Sequence, residues 1–170
     1  GAGVSVFNKI YMHVAAFIDG DGATGISASS VSLLARDTST ITATAGAASL
    51  SASFGVYAGV SLSIGVALAF NEISNVVEAY IKNANDFVRA LSGNISITAE
   101  ENATINAYAT AASVALGAGF AGVGISGAGA NANNVLLTKT WAYAQASVLN
   151  SAANVIVAAS NTSTIKADIL

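Results

Sequence analysis

Two separate blocks of this chain recur at one spacing, and that recurrence limits the fold more than any other feature. Asn8, Asn71 and Asn134 lie 63 and 63 residues apart. Phe17, Tyr80 and Tyr143 keep the same interval, each preceded by an alanine. In the second block Ala35, Ala99 and Ala159 align, as do Ile41, Ile105 and Ile165, at offsets of 64 and 60. The 170 residues therefore hold about 2.7 copies of a unit of about 63. A chain of this kind buries its apolar surface by stacking one unit on the next. The expected organisation is one β-rich domain over 1–170: a partial repeat 1–30, repeats 31–94 and 95–154, and a partial repeat 155–170.

Within the unit the dominant pattern has period two. From Ala48 to Phe70 every even position is Ala, Val, Leu, Ile or Phe, while the odd positions are Ser, Gly, Ala and one Tyr. A helix of period 3.6 would scatter that alternation, so the segment is β. It is too long for one strand, which predicts a bend near Gly55, Gly59 or Gly65. The apolar parity is the expected core, with Leu50, Phe54, Val56, Leu62, Ile64, Leu68 and Phe70 inside. Further on, Val114, Leu116, Ala118 and Phe120 share one parity and Val123 and Ile125 the other, which predicts a bulge or turn around Ala121-Gly122. The small-residue parity is free of the long polar side chains usual on a wet sheet. It suits either a modestly exposed surface or close approach of another layer.

A period of 63 divides into three coils of 21, a size that suits a β-solenoid, and that is the expected fold. A sandwich of long-stranded hairpins is the alternative. The stretch from Glu72 to Leu91 reads as strand, with room for a short helix at Asp86–Leu91. The three repeat asparagines should occupy equivalent sites with their amides bonded to backbone.

Composition excludes several classes of protein. Charged residues make up 9% of the chain and hydrophobic residues 54%, which excludes a disordered tail. A net charge of −3 argues against nucleic acid as a partner. With no cysteine there are no disulfides and no thiolate chemistry. No apolar run reaches about 18 residues, so no transmembrane helix is expected. The first residues carry no basic segment or hydrophobic stretch of a signal peptide, so an exported form would have lost its signal or carry it elsewhere. The charges are gathered into belts, with none from Thr38 to Asn71 and none from Asn102 to Thr138.

The strings Gly-Ala-Gly-Val-Ser-Val-Phe-Asn-Lys-Ile (1–10) and Ile-Gly-Val-Ala-Leu-Ala-Phe-Asn-Glu-Ile-Ser-Asn-Val-Val-Glu-Ala-Tyr-Ile (64–81), with Ile-Ser-Ile-Thr-Ala after a Ser-Gly-Asn turn, carry a resemblance that covers nearly the whole chain. Together they resemble the repeats of giant bacterial surface proteins of the leukotoxin-like filamentous adhesin type. The resemblance implies a secreted or surface-attached β-rich repeat protein with adhesive or structural duty. It brings no catalytic residues with it.

Chemistry-bearing residues are few. Asp19 and Asp21, two carboxylates in an Asp-Gly-Asp-Gly stretch, are the one Ca²⁺ candidate, set against an ordinary Asp-Gly turn that needs no metal. No other cofactor is expected. Thr38, Thr40, Thr42 and Thr44 share a parity, as an ice-binding ladder would require, but the next repeat has Asn102, Thr104, Asn106 and Tyr108 there. His13 has no nucleophile or acid placed to form a triad and reads as a surface residue of a strand. Trp141 and Tyr143 read as packing or interface aromatics. Gly119 to Gly129 carries no lysine in phosphate-loop spacing.

The expected function is non-enzymatic: an extracellular or cell-surface structural and adhesive repeat protein, either a self-assembling fibre subunit or a segment of a filamentous adhesin. A carbohydrate- or ice-binding solenoid is the alternative, and an outer-membrane β-barrel a more distant one. The expected partner is the chain itself, joined end to end, with a host or surface ligand as a further partner. That expectation rests on phase: the last strand stops before the long alternating stretch, and the first residues match the end of that stretch.

Overall fold

A computed structural model describes residues 1–170 as thirteen β-strands with no helix. The first coil runs through β1 (Ala2–Asp19), β2 (Ile26–Ala28), β3 (Val31–Asp37) and β4 (Thr40–Phe54). The second follows the same path through β5 (Ala58–Lys82), β6 (Val88–Ala90), β7 (Ile95–Glu101) and β8 (Thr104–Ala118). The third comprises β9 (Ala121–Leu136), β10 (Lys139–Gln145), β11 (Leu149–Ser151), β12 (Val155–Asn161) and β13 (Thr164–Ile169). Every strand pairs in parallel with its counterpart one coil away, giving sheets β1-β5-β9/β10, β2-β6-β11, β3-β7-β12 and β4-β8-β13. The molecule is a β-solenoid, and its sheets do not close into a barrel.

The coil is larger than expected. Asn8 pairs Asn71, Asn71 pairs Asn134, Leu33 pairs Ile97, and Ile97 pairs Val157. One repeat is therefore one rung of 60 to 64 residues, and the three-coils-of-21 reading is corrected. A division by three has no support in the sequence, because no 21-residue sub-repeat exists to stack. The rungs differ in length only in the loops. Two residues separate Ala28 from Val31 and four separate Ala90 from Ile95, while the strand registers stay intact.

Each rung has a broad base and a thin arm. At the base, three walls enclose Val77, Ala79, Ile81, Val88, Ile95 and Ile97, all fully buried. Fully burying each Val or Ile here stabilises the fold by about 1.5–3 kcal/mol. Next comes a cluster of Ile41, Ala43, Ile73 and Ile105, then one made only of alanines, Ala45, Ala47, Ala67 and Ala69. Beyond that β4 and β5 continue as facing layers to a turn at Gly55–Tyr57, and β8 and β9 to one at Gly119–Phe120. The turns stack through Gly55 N–H to Ala118 O (3.1 Å) and Ala121 N–H to Tyr57 O (3.0 Å).

The apolar side chains on the inward face of β5 become smaller from base to tip, with Asn75 and Asn71 interposed. Ile81, Val77 and Ile73 give way to Ala69 and Ala67, then to Gly65, Ser63, Ser61 and Gly59. The layers converge as the side chains shrink. A Cβ added to Gly65 would lie 2.5 Å from Ala112 O, and one on Gly124 2.5 Å from Ala115 O. Only glycine permits so close a backbone approach.

The expected core of the alternating segments is therefore inverted. Leu50 (73% exposed), Phe54, Val56 and Leu62 (58%) lie on the outside, as do Ile64 and Phe70, and Leu68 is only half-buried. The cause is continuity. Ile73, Val77 and Ile81 fix the odd parity inward at the base, and β5 runs from Lys82 to Ala58 as one strand. The apolar residues change parity between Phe70 and Ile73, but the backbone does not. The small-residue face is the covered one, as the close-approach reading of it anticipated. The first bend falls at Gly55 as expected, and the second turn lies one residue before Ala121-Gly122. The stretch Asp86–Leu91 contains β6 and no helix.

Candidate functional site

A polar cleft where β3 turns into β4 is lined by Arg36, Asp37, Glu100 and Glu101; the other residues that can act on a partner are those of the ladders, the rung edges and the arm. The ladders run along the stack. Asn8 Nδ2 donates to Asn71 Oδ1 and Asn71 Nδ2 to Asn134 Oδ1, each at 2.8 Å. The three asparagines are equivalent, but their amides bond each other rather than backbone as expected. Parallel, in-register strands place identical amides one rung apart, which favours the ladder. Phe17, Tyr80 and Tyr143 stack with centroids 5.2 and 5.0 Å apart. Opposite charges are paired between rungs as well, Lys9 with Glu72 (3.0 Å) and Arg36 with Glu100 (2.7 Å), and His13 Nε2 lies within hydrogen-bond distance of Glu78 Oε1 (2.6 Å). Exposed pairs of this kind add little stability, yet they favour one register over its neighbours.

The sequence-predicted residues fall into place around these ladders. Asp19 accepts from Asn83 Nδ2 (2.7 Å) and faces Lys82 Nζ (3.2 Å), one rung on. The Asn83 hydrogen bond, then that of Lys82, hold its carboxyl below the usual range. Asp21 Oδ2 accepts from the backbone N–H groups of Asp86 (2.7 Å) and Phe87 (2.9 Å). The two carboxylates thus tie the turn Gly20–Gly25 to the next rung. Thr40, Thr104 and Thr164 stand in one column, and Asn106 and Tyr108 interrupt the columns beside it. Trp141 is half exposed on the outer side of β10, with Lys139 Nζ 5.9 Å from its ring centre.

Sequence reasoning missed an inward carboxylate column. Asp37, Glu101 and Asn161 share one register position, where β3, β7 and β12 turn into β4, β8 and β13. Asp37 accepts from Asn75 Nδ2 (2.8 Å), Ser39 N–H (3.1 Å) and Ser39 Oγ (2.9 Å). Glu101 is 1% exposed and both its carboxylate oxygens are buried without a hydrogen-bond partner. Burial first, and then the negative charge of Asp37, pushes its pKa up to about 7. The signal was available: both residues share the parity of Ala35 and Ala99, two positions before them.

The edge rungs differ from the middle one. Ile97 is fully buried, but its register partner Val157 is 46% exposed, and Ile165 is 47% exposed against 0% for Ile105. The arm is apolar on both outer faces, through Val60, Leu62 and Ile125 on one and Leu50, Val114 and Leu116 on the other. No helix is long and apolar enough to cross a membrane. No family model matches the chain, and neither a curated protein nor a solved structure is significantly similar to it.

Proposed function

We propose that the protein is a non-enzymatic structural and adhesive repeat of an extracellular or cell-surface fibre, whose rungs are extended by further rungs of the same kind. One observation carries the reading: side chains that are fully buried in the middle rung are half exposed at the same register position in the third. Such an edge offers a further rung the same parallel register by which the third rung pairs with the middle one. The Asn ladder supports this, because Asn134 accepts from Asn71 and passes no side-chain hydrogen bond onward. β12 also carries neither proline nor charge, the usual blocks to strand addition. Head-to-tail stacking of this kind builds a filament rather than a closed dimer. The adhesive part of the reading rests on the sequence resemblance and on the exposed apolar arm.

The test is assembly size against concentration, by analytical ultracentrifugation and electron microscopy. The expected result is concentration-dependent linear oligomers that Val157→Lys and Ile165→Lys shorten at least tenfold in mean length. A monomer at high concentration, with β12 and β13 amides protected from exchange, would overturn the reading.

A further inference from the structure

The arm has the construction of an element solvated by hydrocarbon. Its interior is filled by Ser, Gly and Ala, with Ser49 Oγ and Ser63 Oγ bonded to each other at 2.6 Å. Its outer faces are aliphatic towards the tip and turn polar near the base, where Ser5 and Asn131 flank Leu68 and Thr44 and Thr110 lie on the other side; no charged residue occurs from Thr38 to Asn71 or from Asn102 to Thr138. A protein partner would cover one face and leave the other wet. A solvent that surrounds the arm covers both.

Length and aromatic placement identify that solvent. Between Thr44 and Phe54 the strand rises about 33 Å at roughly 3.3 Å per residue. The hydrocarbon core of a bilayer is about 30 Å thick. The aromatic residues of this region stand only at the two ends of the span. Phe54, Tyr57 and Phe120 lie at the tip, and Phe7, Phe70 and Tyr108 at the base; the strands between carry none. Just past the base ring on one face comes the Lys9–Glu72 pair, the first charges. Apolar-out and small-in alternation over about ten residues between two aromatic girdles is the pattern of β-structure in lipid. The tip residues Phe54, Val56, Tyr57 and Phe120 are all more than 80% exposed, so the leading end is itself apolar.

We infer that the arm is a membrane-insertion element: it enters a lipid bilayer tip first, to the depth of the Phe70–Tyr108 ring, while the base stays in water. Backbone groups at an open strand edge cannot stay unpaired in hydrocarbon. The arm therefore enters as a stack of such arms, and to that extent the inference rests on the stacking reading.

Two single-tryptophan forms test it: the native chain with Trp141, and Tyr57→Trp in a Trp141→Phe background. Trp141 pairs with Glu78, eight residues beyond Phe70 on the water side. Both are mixed with phosphatidylcholine vesicles whose acyl chains are brominated. The expected result is at least twofold quenching and a blue shift for the tip tryptophan, with Trp141 unchanged. Leu62→Lys/Leu116→Lys, on the two outer faces, should abolish the quenching and vesicle flotation while near-ultraviolet circular dichroism and filament length stay as they were. An unquenched tip in a chain that still forms filaments overturns the inference and leaves the stacking reading standing. Quenching in a chain that forms no stack, in solution or on the vesicles, would overturn entry as a stack and with it the stacking reading. If the arms pack against a second copy instead, filaments bundle sideways without lipid, the lysine pair disperses them, and the tip stays unquenched.

Discussion

The base and the arm of each rung are built from the same strands and follow opposite rules. In the base, β5 points Ile73, Val77 and Ile81 inward, and the outer side carries Glu72, Glu78 and Lys82. In the arm, the same strand points Gly59, Ser61 and Gly65 inward and Val60, Leu62 and Ile64 outward. The base is held by apolar volume. The arm is held by its backbone ladder and by close contact of two layers that leave room for Ser and Ala and, at Gly59 and Gly65, for no Cβ at all. Large side chains stabilise the first region and are excluded from the interior of the second.

The comparison is broken most forcefully by one kind of truncation made in both places. Ile97→Ala in the base should cost about 2–5 kcal/mol, the loss of transfer free energy plus a cavity. Leu62→Ala in the arm should change stability by less than about 0.5 kcal/mol, as for a surface position. Urea unfolding of the two variants checks this pair. If Leu62→Ala cost as much as Ile97→Ala, the arm would have an ordinary core. The reverse change is the next largest. Gly65→Val should destabilise by about 1–3 kcal/mol through overpacking against the Ala112 carbonyl. The same measurement on Gly127→Val, at a glycine with open space around its Cβ position, should show little effect.

A smaller effect sharpens the account of the corner between base and arm. The unfolded chain loses the Glu101 proton near its ordinary 4.5 and the folded chain near 7, so the folded state holds more proton between those values. Stability should fall as pH rises through that window and level off above it. Glu101→Gln removes the charge and should raise stability at pH 8 by on the order of 1–3 kcal/mol, with a flatter pH profile. Thermal unfolding from pH 4 to pH 9 reads this out. A native profile as flat as that of the variant would show that Glu101 does not titrate in this range.

Most of the architecture was legible because repeats report register directly. Asn8, Asn71 and Asn134 predicted a stack before any strand was placed, and the stack pairs those residues. The size of the coil was not legible, since nothing in a 63-residue period says how many turns it spans. The facing of the arm was misread for a physical reason. Alternation identifies two faces and does not say which is inside, and burial was assigned to the apolar one. The deciding residues lie elsewhere, at Ile73, Val77 and Ile81, where the parity of the same strand is fixed. The Asp37–Glu101 column went unread because carboxylates are almost never fully buried unless paired, although their parity matches buried alanines. The turn carboxylates Asp19 and Asp21 were visible as a pair, but their hydrogen bonds reach across rungs to Asn83, Asp86 and Phe87, which only the register reveals.

The inside-out arm is the central claim, and the chain has no cysteine of its own to confuse its most direct test. Leu62→Cys and Ser63→Cys place one thiol on each side of the same strand, at positions 58% and 0% exposed. In dilute, lipid-free solution a small thiol reagent should modify the first at close to the rate of an unfolded control and the second at least a hundredfold more slowly. A protected thiol at position 62 beside a reactive one at 63 would contradict the account.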